Sequence, residues 1–390
     1  MNNNTFPSWP FHEADEIAAV VRVLESCRVN YWSGEEGREF EREFARYHEV
    51  SHAVAVANGT VALDLALIGL GLGPGDEVIV TPRTFLASAS SIVNAGARPV
   101  FADVDRNSGN ITAETVHAVL TPRTRAIMAV HLAGWPCDMD GIVDLAREHN
   151  LYIIEDCAQA HGARYKGRLA GTMGHVGCFS FCTDKIMSTG GEGGMVITND
   201  VDLWQRMWSY KDHGKSWDAV YNREHPPGFR WLHESFGTNW RLTEMQSALG
   251  RLQLAKLDHW LKRRRENAQV LVDGLSPLPA LRVPLPEPPI DHAWYKFYAF
   301  VRPEELKSGW NRDRIAQSLQ DMGIPCMHGG CSEVYLEKAF DGGFRPRERL
   351  PVARELGETS LMFLVHPTLE LEHMERVVKA VGEVMERACK

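Results

Sequence analysis

The feature of this sequence that most restricts its fold is an alternation of short apolar runs with helix-like stretches. The runs end at Gly, Pro or Asp and cover residues 51–59, 77–82, 98–105, 125–134 and 151–159. Apolar runs of this length fit strands that are buried on both faces. Helical patterns fill the gaps at residues 60–69, 84–94, 113–120 and 138–149. Strands and helices in this order predict an α/β fold with a mostly parallel mixed sheet flanked by helices.

The second half of the sequence changes character and predicts a smaller domain. Further strands are expected at residues 177–183, 194–200 and 295–301, and further helices at residues 243–265, 312–322 and 373–389. One of the first two of these strands can be antiparallel. Residues 276–289 are rich in proline, which suits an extended connector. We therefore expect a large α/β domain over residues 1–265, including an N-terminal arm, and a small C-terminal α+β domain over residues 266–390.

Composition excludes several classes of protein. The 390 residues carry 42 Lys and Arg against 51 Asp and Glu, a net charge of −9, which argues against nucleic-acid binding. No apolar run is long enough to span a membrane. The start, MNNNTFPSWPFHEADE, lacks the basic and apolar regions of a signal peptide. The eight cysteines form no CxxC pair, so we expect reduced thiols and a cytoplasmic protein. Cys326, His328 and Cys331 fit no zinc pattern, and we expect no metal.

Three polar features follow predicted strands. Gly59 and Thr60 begin a helix, where free N–H groups and the helix dipole can bind an anion, although such a start is usually only a cap. Asp156 ends an apolar strand and needs a partner to stay ionised there, or is a structural cap. Lys185 lies between an apolar strand and a glycine-rich turn, where a lysine is either a desolvated nucleophile or an exposed surface residue. The glycines after Lys185, at positions 190, 191, 193 and 194, form no Walker loop, and no GxGxxG fingerprint follows the first predicted strand.

Together the three features meet the needs of pyridoxal phosphate (PLP), which requires a phosphate anchor, a partner for its pyridine nitrogen and a Schiff-base amine. The longest motifs are NGTVALDLAL (58–67), GDEVIVTPRTFLAS (75–88), EDCAQAHGARYKG (155–167), FSFCTDKIMSTGGEGGMVITND (179–200) and GTNWRLTEMQSALGRLQL (237–254). With these motifs the chain resembles the DegT/DnrJ/StrS family of sugar aminotransferases over nearly its whole length. The resemblance implies the fold of the fold-type I PLP-dependent transferases and the activity of a PLP-dependent transaminase.

The resemblance also implies roles for residues around the cofactor ring. Lys185 would form the Schiff base with PLP and move the proton, leaving pyridoxamine phosphate as the intermediate form of the cofactor. Asp156 would pair with the pyridine nitrogen, and Gln159 would lie near the ring and its phenolic oxygen. Phe85 would stack on the ring face, unless it is packed in the core.

Further implied residues bind the phosphate. Gly59, Thr60 and Ser180 would hold it from within one chain. Asn239, in the GTNWR segment, matches a residue that relatives lend to the neighbouring subunit. The resemblance therefore implies a homodimer with shared active sites.

The implied reaction moves an amino group from glutamate, which leaves as 2-oxoglutarate, to a nucleotide-linked keto-sugar in amino-sugar or polysaccharide biosynthesis. Family usage favours a 4-keto-6-deoxy hexose on UDP, GDP or dTDP. Two departures bear on the substrate: an extra glycine before GEGG, and MHGGCSEVYLEKAF (327–340) in place of a HYxPLH-like segment. A 3-keto sugar or cyclitol aminotransferase is the alternative enzyme, and a regulatory protein on the same fold is the alternative of another class. A sugar 3-dehydratase would carry histidine in place of Lys185.

Overall fold

The computed structural model describes residues 6–225 and 230–390, and its strands form sheets of seven, four and three strands. The strands are β1 His52–Val56, β2 Glu77–Val80, β3 Arg98–Phe101, β4 Thr124–Val130, β5 Tyr152–Asp156, β6 Arg164–Tyr165, β7 Arg168–Leu169, β8 Val176–Ser180, β9 Gly194–Thr198, β10 Leu281–Arg282, β11 Ile290–Asp291, β12 Phe297–Val301, β13 Cys326–Met327 and β14 Ser360–Phe363. The helices are α1 Ala14–Glu25, α2 Glu36–Tyr47, α3 Gly59–Gly69, α4 Leu86–Asn94, α5 Ala113–His117, α6 Met139–His149, α7 Val201–Lys211, α8 Trp217–Tyr221, α9 Glu244–Leu275, α10 Arg312–Asp321, α11 Pro351–Thr359 and α12 Leu371–Ala388.

The seven-stranded sheet has the order β1-β9-β8-β5-β4-β2-β3. Neighbouring strands from β8 to β3 are parallel, whereas β9 is antiparallel to both β1 and β8. Every residue of β2, β8 and β9 is buried, as expected for strands that read as continuous apolar runs. The predicted α/β fold with a mostly parallel sheet is confirmed, and so is an antiparallel strand within it.

Both faces of this sheet are covered because alternate side chains of each strand enter different cores. On β1, Val54 packs in a cluster with the apolar side of α3 and with Trp208 of α7. Its neighbour Ala55 packs in a second cluster with Phe40 and Phe44 of α2. The helices therefore form a layer on each side of the sheet, and the polar strand ends are left for a site at its edge.

The C-terminal part of the chain is built on the antiparallel sheet β10-β12-β14-β13, against which α9, α10 and α12 pack. The predicted helix over 243–265 was too short, because the apolar positions Ala268, Leu271, Val272 and Leu275 continue its buried face to Leu275. The domain boundary at residues 265 and 266 stays a prediction, and α9 crosses it without a break.

Two other segments differ from expectation. The proline-rich residues 276–289 are not wholly a connector, since β10 lies within them and pairs with β12. The N-terminal segment contributes α1, whose first turn is closed by a capping box between Glu13 and Glu16 and which packs on α9. Residues 1–5 of the MNNNT start lie outside the described residues. Within the described ranges, no helix combines the length and the apolar character that crossing a membrane requires.

Candidate active site

Polar residues gather where β1, β5 and β8 end. These strands point the same way, because β1 and β8 are both antiparallel to β9 and β8 is parallel to β5. In an open α/β sheet, ligands bind at this carboxyl edge. The edge brings the start of α3, Asp156 at the end of β5 and Ser180 at the end of β8 to the same side of the molecule.

The start of α3 and the end of β8 form an anion cradle. Asn58 caps α3 by accepting the N–H of Val61 at 3.0 Å, which leaves the first N–H groups of the helix, on Gly59 and Thr60, for a ligand. A side chain on Gly59 would put its Cβ 2.5 Å from Cβ of Ser180. Glycine is required here because the serine lies directly against the helix start. Free N–H groups at a helix start beside a serine hydroxyl are donors of the kind that a phosphate group accepts.

Asp156 is held as a buried acceptor. It is 5% exposed, its Oδ2 accepts the Ser88 hydroxyl at 2.7 Å, and its Oδ1 accepts the N–H of Ala158 at 3.1 Å. The Ser88 hydroxyl is in turn 2.8 Å from that of Thr84. A buried carboxylate with two donors is satisfied and fixed in orientation. Sequence reasoning missed Ser88, although its spacing four residues after Thr84 in one motif was a usable signal.

Lys185 is held by groups from distant parts of the chain. Its side chain is 15% exposed, and its Nζ lies 3.4 Å from Oη of Tyr295 and 3.6 Å from Oδ1 of Asp184. The Tyr295 hydroxyl donates to the Asp184 carboxylate. Burial raises the pKa of Asp184, but the Lys185 ammonium and the Tyr295 hydroxyl outweigh burial and bring this pKa below its usual value. Lys185 Nζ therefore faces a hydroxyl and an ionised carboxylate that fix its direction.

The backbone at Lys185 is fixed as well, because the indole N–H of Trp9 donates to the Lys185 carbonyl at 2.7 Å. Neither Trp9 nor Tyr295 was predicted. No local pattern connects the N-terminal arm or the segment before β12 to the lysine, so only the folded chain reveals them.

Two residues predicted to touch the cofactor ring lie at the same edge. Gln159 Oε1 accepts the N–H of Ala133 at 2.7 Å, which leaves its amide NH₂ as a donor. Phe85 is the residue that precedes α4 and is 69% exposed, so core packing is wrong for this side chain. Its role on the ring face stays a prediction.

Asn239 lies on a segment that pairs with the end of β1. Its backbone pairs with Asp212, and the next residue, Trp240, accepts the N–H of Ala57 at the end of β1. The side chain of Asn239 is exposed. Its contact with a neighbouring subunit's phosphate stays a prediction.

The one group of metal-ligating side chains within the described ranges is His131, Glu155 and Cys157. The Glu155 carboxylate already accepts His131 Nε2 at 3.0 Å and the N–H groups of Gly171, Met173 and Gly174. His131 Nδ1 accepts the N–H of Cys137. With these donors the carboxylate ties the turn after β7 to β5, which gives the cluster a structural role.

A lysine facing an ionised carboxylate, a second buried carboxylate at a strand end and an anion cradle at a helix start are the groups that a PLP-binding enzyme needs. Residues 10–382 match the model of the DegT/DnrJ/EryC1/StrS aminotransferase family. The chain belongs to this family, and it is a PLP-dependent transaminase.

Three similar proteins illustrate the match. An aminotransferase structure from Psychrobacter cryohalolentis is 58% identical, with a TM-score of 0.96 over 98% of this chain and 99% of that one. The dTDP-3-amino-3,4,6-trideoxy-α-D-glucose transaminase of Streptomyces venezuelae is 40% identical over 374 residues, covering 96% of this chain and 93% of its own. A GDP-perosamine synthase of Caulobacter vibrioides is 38% identical over 370 residues, covering 93% and 94% of the two chains.

Proposed function

We propose that this chain transfers the amino group of glutamate to the keto group of a nucleotide-linked sugar. The observation that carries the proposal is the Lys185 site, with Nζ held by Tyr295 and Asp184 at the same sheet edge as the cradle and Asp156. The names of the relatives from Streptomyces and Caulobacter, which both include a nucleotide-linked amino sugar, support the substrate class.

The residues of the chain have distinct tasks in this reaction. When bound, PLP withdraws electrons from the carbon that carries the amino group. Lys185 Nζ would hold the cofactor at rest and, once released, take the proton from the donor carbon and return it at a different atom. Asp156 would keep the pyridine nitrogen protonated. Tyr295 and Asp184 would hold Lys185 Nζ in the direction from which it reaches the proton.

Phosphate binding would fall to Gly59, Thr60 and Ser180, with Phe85 and Gln159 against the ring. We propose that Asn239 completes this set from the other subunit of a homodimer with shared sites. A cytoplasmic location fits the eight unpaired cysteines.

For the acceptor we propose first a 4-keto-6-deoxy hexose on UDP, GDP or dTDP, which yields the 4-amino sugar. A second candidate is a 3-keto sugar, which the name of the Streptomyces relative favours because it contains a 3-amino sugar. The two candidates differ in the carbon that receives nitrogen, and the same cofactor chemistry serves both.

The experiment that tests the proposal is a panel of nucleotide-linked 3-keto and 4-keto sugars incubated with the PLP-loaded enzyme and glutamate. Product mass and proton NMR identify the sugar and the carbon that is aminated. Lys185→Ala is the control and should yield no product. If no nucleotide-linked keto-sugar is aminated while glutamate still converts the bound cofactor, the substrate class is wrong.

A further inference from the structure

A recess opens beside the active site, between the turn after β4 and strand β12. Ala133, whose N–H donates to Gln159, lines this recess, and so does Lys296, the neighbour of Tyr295. Two cations, Arg83 and Lys296, line it, and no described lining residue carries a carboxylate. The recess therefore neighbours the site and is lined by two positively charged side chains.

Arg83 is the unusual residue in this recess. It is 2% exposed, and within residues 6–225 and 230–390 its guanidinium has no ion pair and its Nη1 has no hydrogen bond. It rests against the rings of Tyr298 and Phe300, 5.3 and 5.7 Å from their centroids. Burying a guanidinium without an acidic partner destabilises a fold. Its planar fork matches the oxygens of carboxylates and phosphates, which makes an anion the natural missing partner.

The position of Arg83 is fixed in advance by the loop at residues 329–334. Cys331 accepts the N–H of Thr84 at 3.1 Å, and Pro82 accepts that of Val334 at 2.9 Å, so the residues on both sides of Arg83 are held. The loop also holds Tyr298, whose hydroxyl accepts the N–H of Gly330 at 3.1 Å. The guanidinium is thus preorganised, as expected of a binding group rather than of a displaced surface side chain.

Lys296 supplies the second charge. Its Nζ lies 4.8 Å from the centroid of the Tyr295 ring, and burial lowers its pKa to about 8, so it is still mostly protonated near neutral pH. His292 on the same wall is neutral, because burial lowers its pKa to about 3 and its Nδ1 accepts the N–H of Trp294. Around neutral pH the charge of the recess therefore comes from Arg83 and Lys296.

We propose that Arg83 and Lys296 form an anion subsite that binds a carboxylate or phosphate group of a substrate. The inference rests on the proposed function, in which glutamate brings a second carboxylate and the nucleotide-linked sugar brings a diphosphate. Both are oxyanions that a guanidinium and an ammonium recognise. The subsite would select a dianionic donor or anchor the acceptor.

The test measures binding of two probes, glutarate and inorganic pyrophosphate, to the PLP-loaded enzyme by calorimetry. Arg83→Met should weaken the binding of at least one probe about tenfold to a hundredfold, which is the loss expected when hydrogen bonds to a charged group are removed. Weaker binding of glutarate assigns the subsite to the amino donor, glutamate. Weaker binding of pyrophosphate assigns it to the acceptor, the nucleotide-linked sugar. Arg282→Met is the matched control, because Arg282 also packs on Phe300, at 4.5 Å, but faces another cleft.

A second pair of variants guards against misfolding. Arg83→Lys keeps the charge and loses the fork, and Lys296→Met removes the other cation, so both should weaken the same probe. Unchanged binding of both probes in all Arg83 and Lys296 variants, or an equal loss in Arg282→Met, overturns the subsite. The subsite is also wrong if Arg83→Met dissociates a dimer but leaves the binding of both probes unchanged. The enzyme can also fail to aminate any nucleotide-linked sugar while the variants still lose binding of a probe. That result supports the subsite and refutes only the proposed function.

Discussion

Lys185 receives its environment from residues far along the chain, since Trp9 lies 176 positions before it and Tyr295 lies 110 positions after it. The first partner fixes the backbone and the second faces Nζ. These contacts hold the lysine amine in one orientation, which a group that both binds a cofactor and moves a proton requires.

The first prediction concerns this amine. Borohydride reduction of the PLP-loaded protein, followed by digestion and mass spectrometry, should place the cofactor on the peptide that contains Lys185. Lys185→Ala should lose both the label and turnover. Lys166 is the comparison, because it is exposed and paired with Asp140. A label on Lys166 would show that the assignment is wrong.

The second prediction concerns Asp156. Asp156→Asn should keep the fold and bind PLP, since its amide oxygen can still accept the N–H of Ala158 while its NH₂ donates to the Ser88 hydroxyl. Turnover should nevertheless fall by orders of magnitude, because the ring nitrogen loses its anionic partner. Stopped-flow measurement of cofactor absorbance after glutamate addition checks the result. Ser88→Ala, which removes only the hydroxyl that orients Asp156, should cost less. Near-normal turnover of Asp156→Asn would make the carboxylate purely structural.

Contiguous sequence singled out Asp156, Lys185 and Gly59, because each is a polar residue or glycine at or shortly after the end of an apolar strand. Their neighbours were not predictable in the same way. Tyr295 and Arg83 are ordinary-looking residues near strands, and their importance comes from burial and from partners that only the tertiary structure brings close.

At the scale of elements, the junction of β1 and α3 carries the phosphate cradle, and its geometry depends on the approach of β8. The third prediction follows from this contact. Gly59→Ala should weaken PLP binding about tenfold or more, because its Cβ would lie 2.5 Å from Ser180 and displace a donor to a charged group. Absorbance titration of apo-enzyme with PLP measures the affinity.

Gly73→Ala is the matched control for that substitution. A Cβ on Gly73 would come no closer than 3.5 Å to another residue, so PLP affinity should be unchanged. Equal affinities of the two alanine variants would contradict the cradle.

Element boundaries were predicted less well than element types. The strands of the large sheet follow from apolar runs, whereas β6 and β7 are only two residues long and leave no periodic signal. The end of α9 was missed because a basic cluster at residues 262–265 suggested a terminus. The buried positions beyond it, Ala268 and Leu271, continue the helix instead.

At the scale of the whole molecule, four buried histidines make stability depend on pH. The pKa of His48 is lowered to about 4, and that of His161, His292 and His366 to about 3. Burial is the largest cause in each case. In the unfolded chain these groups take up protons below about pH 6.5, which the native state does not. The native state therefore loses stability as pH falls through the window between these values.

The fourth prediction is a fall in the free energy of unfolding of about 1.4 kcal/mol per histidine for each pH unit below about 6.5. Urea unfolding followed by circular dichroism, at pH values from about 7.5 to about 5, measures the slope. His48→Gln should reduce that slope by about one proton. An unchanged slope in His48→Gln would contradict a neutral buried His48.

The fifth prediction concerns the proposed homodimer. A heterodimer with Lys185→Ala on one chain and Asn239→Ala on the other, purified through different tags, should keep one site of wild-type PLP affinity if Asn239 acts in trans. If it acts within its own chain, each site carries one lesion. Cofactor titration distinguishes the two cases, and the loss of every wild-type-affinity site refutes the shared-site arrangement.

The position of Trp9 has a consequence for how the protein is made. Its ring lies against Trp260 and His366, with centroids 5.2 and 6.2 Å away, while its N–H holds the Lys185 backbone. During vectorial synthesis the first residues leave the ribosome long before residue 366, and domains otherwise tend to fold from the N-terminus onward. Trp9 therefore gains its contact with His366 only after that residue has been synthesised. The surroundings of Lys185 are therefore completed only after His366 has been made, and a bulky group introduced next to Trp9 would disturb the lysine itself.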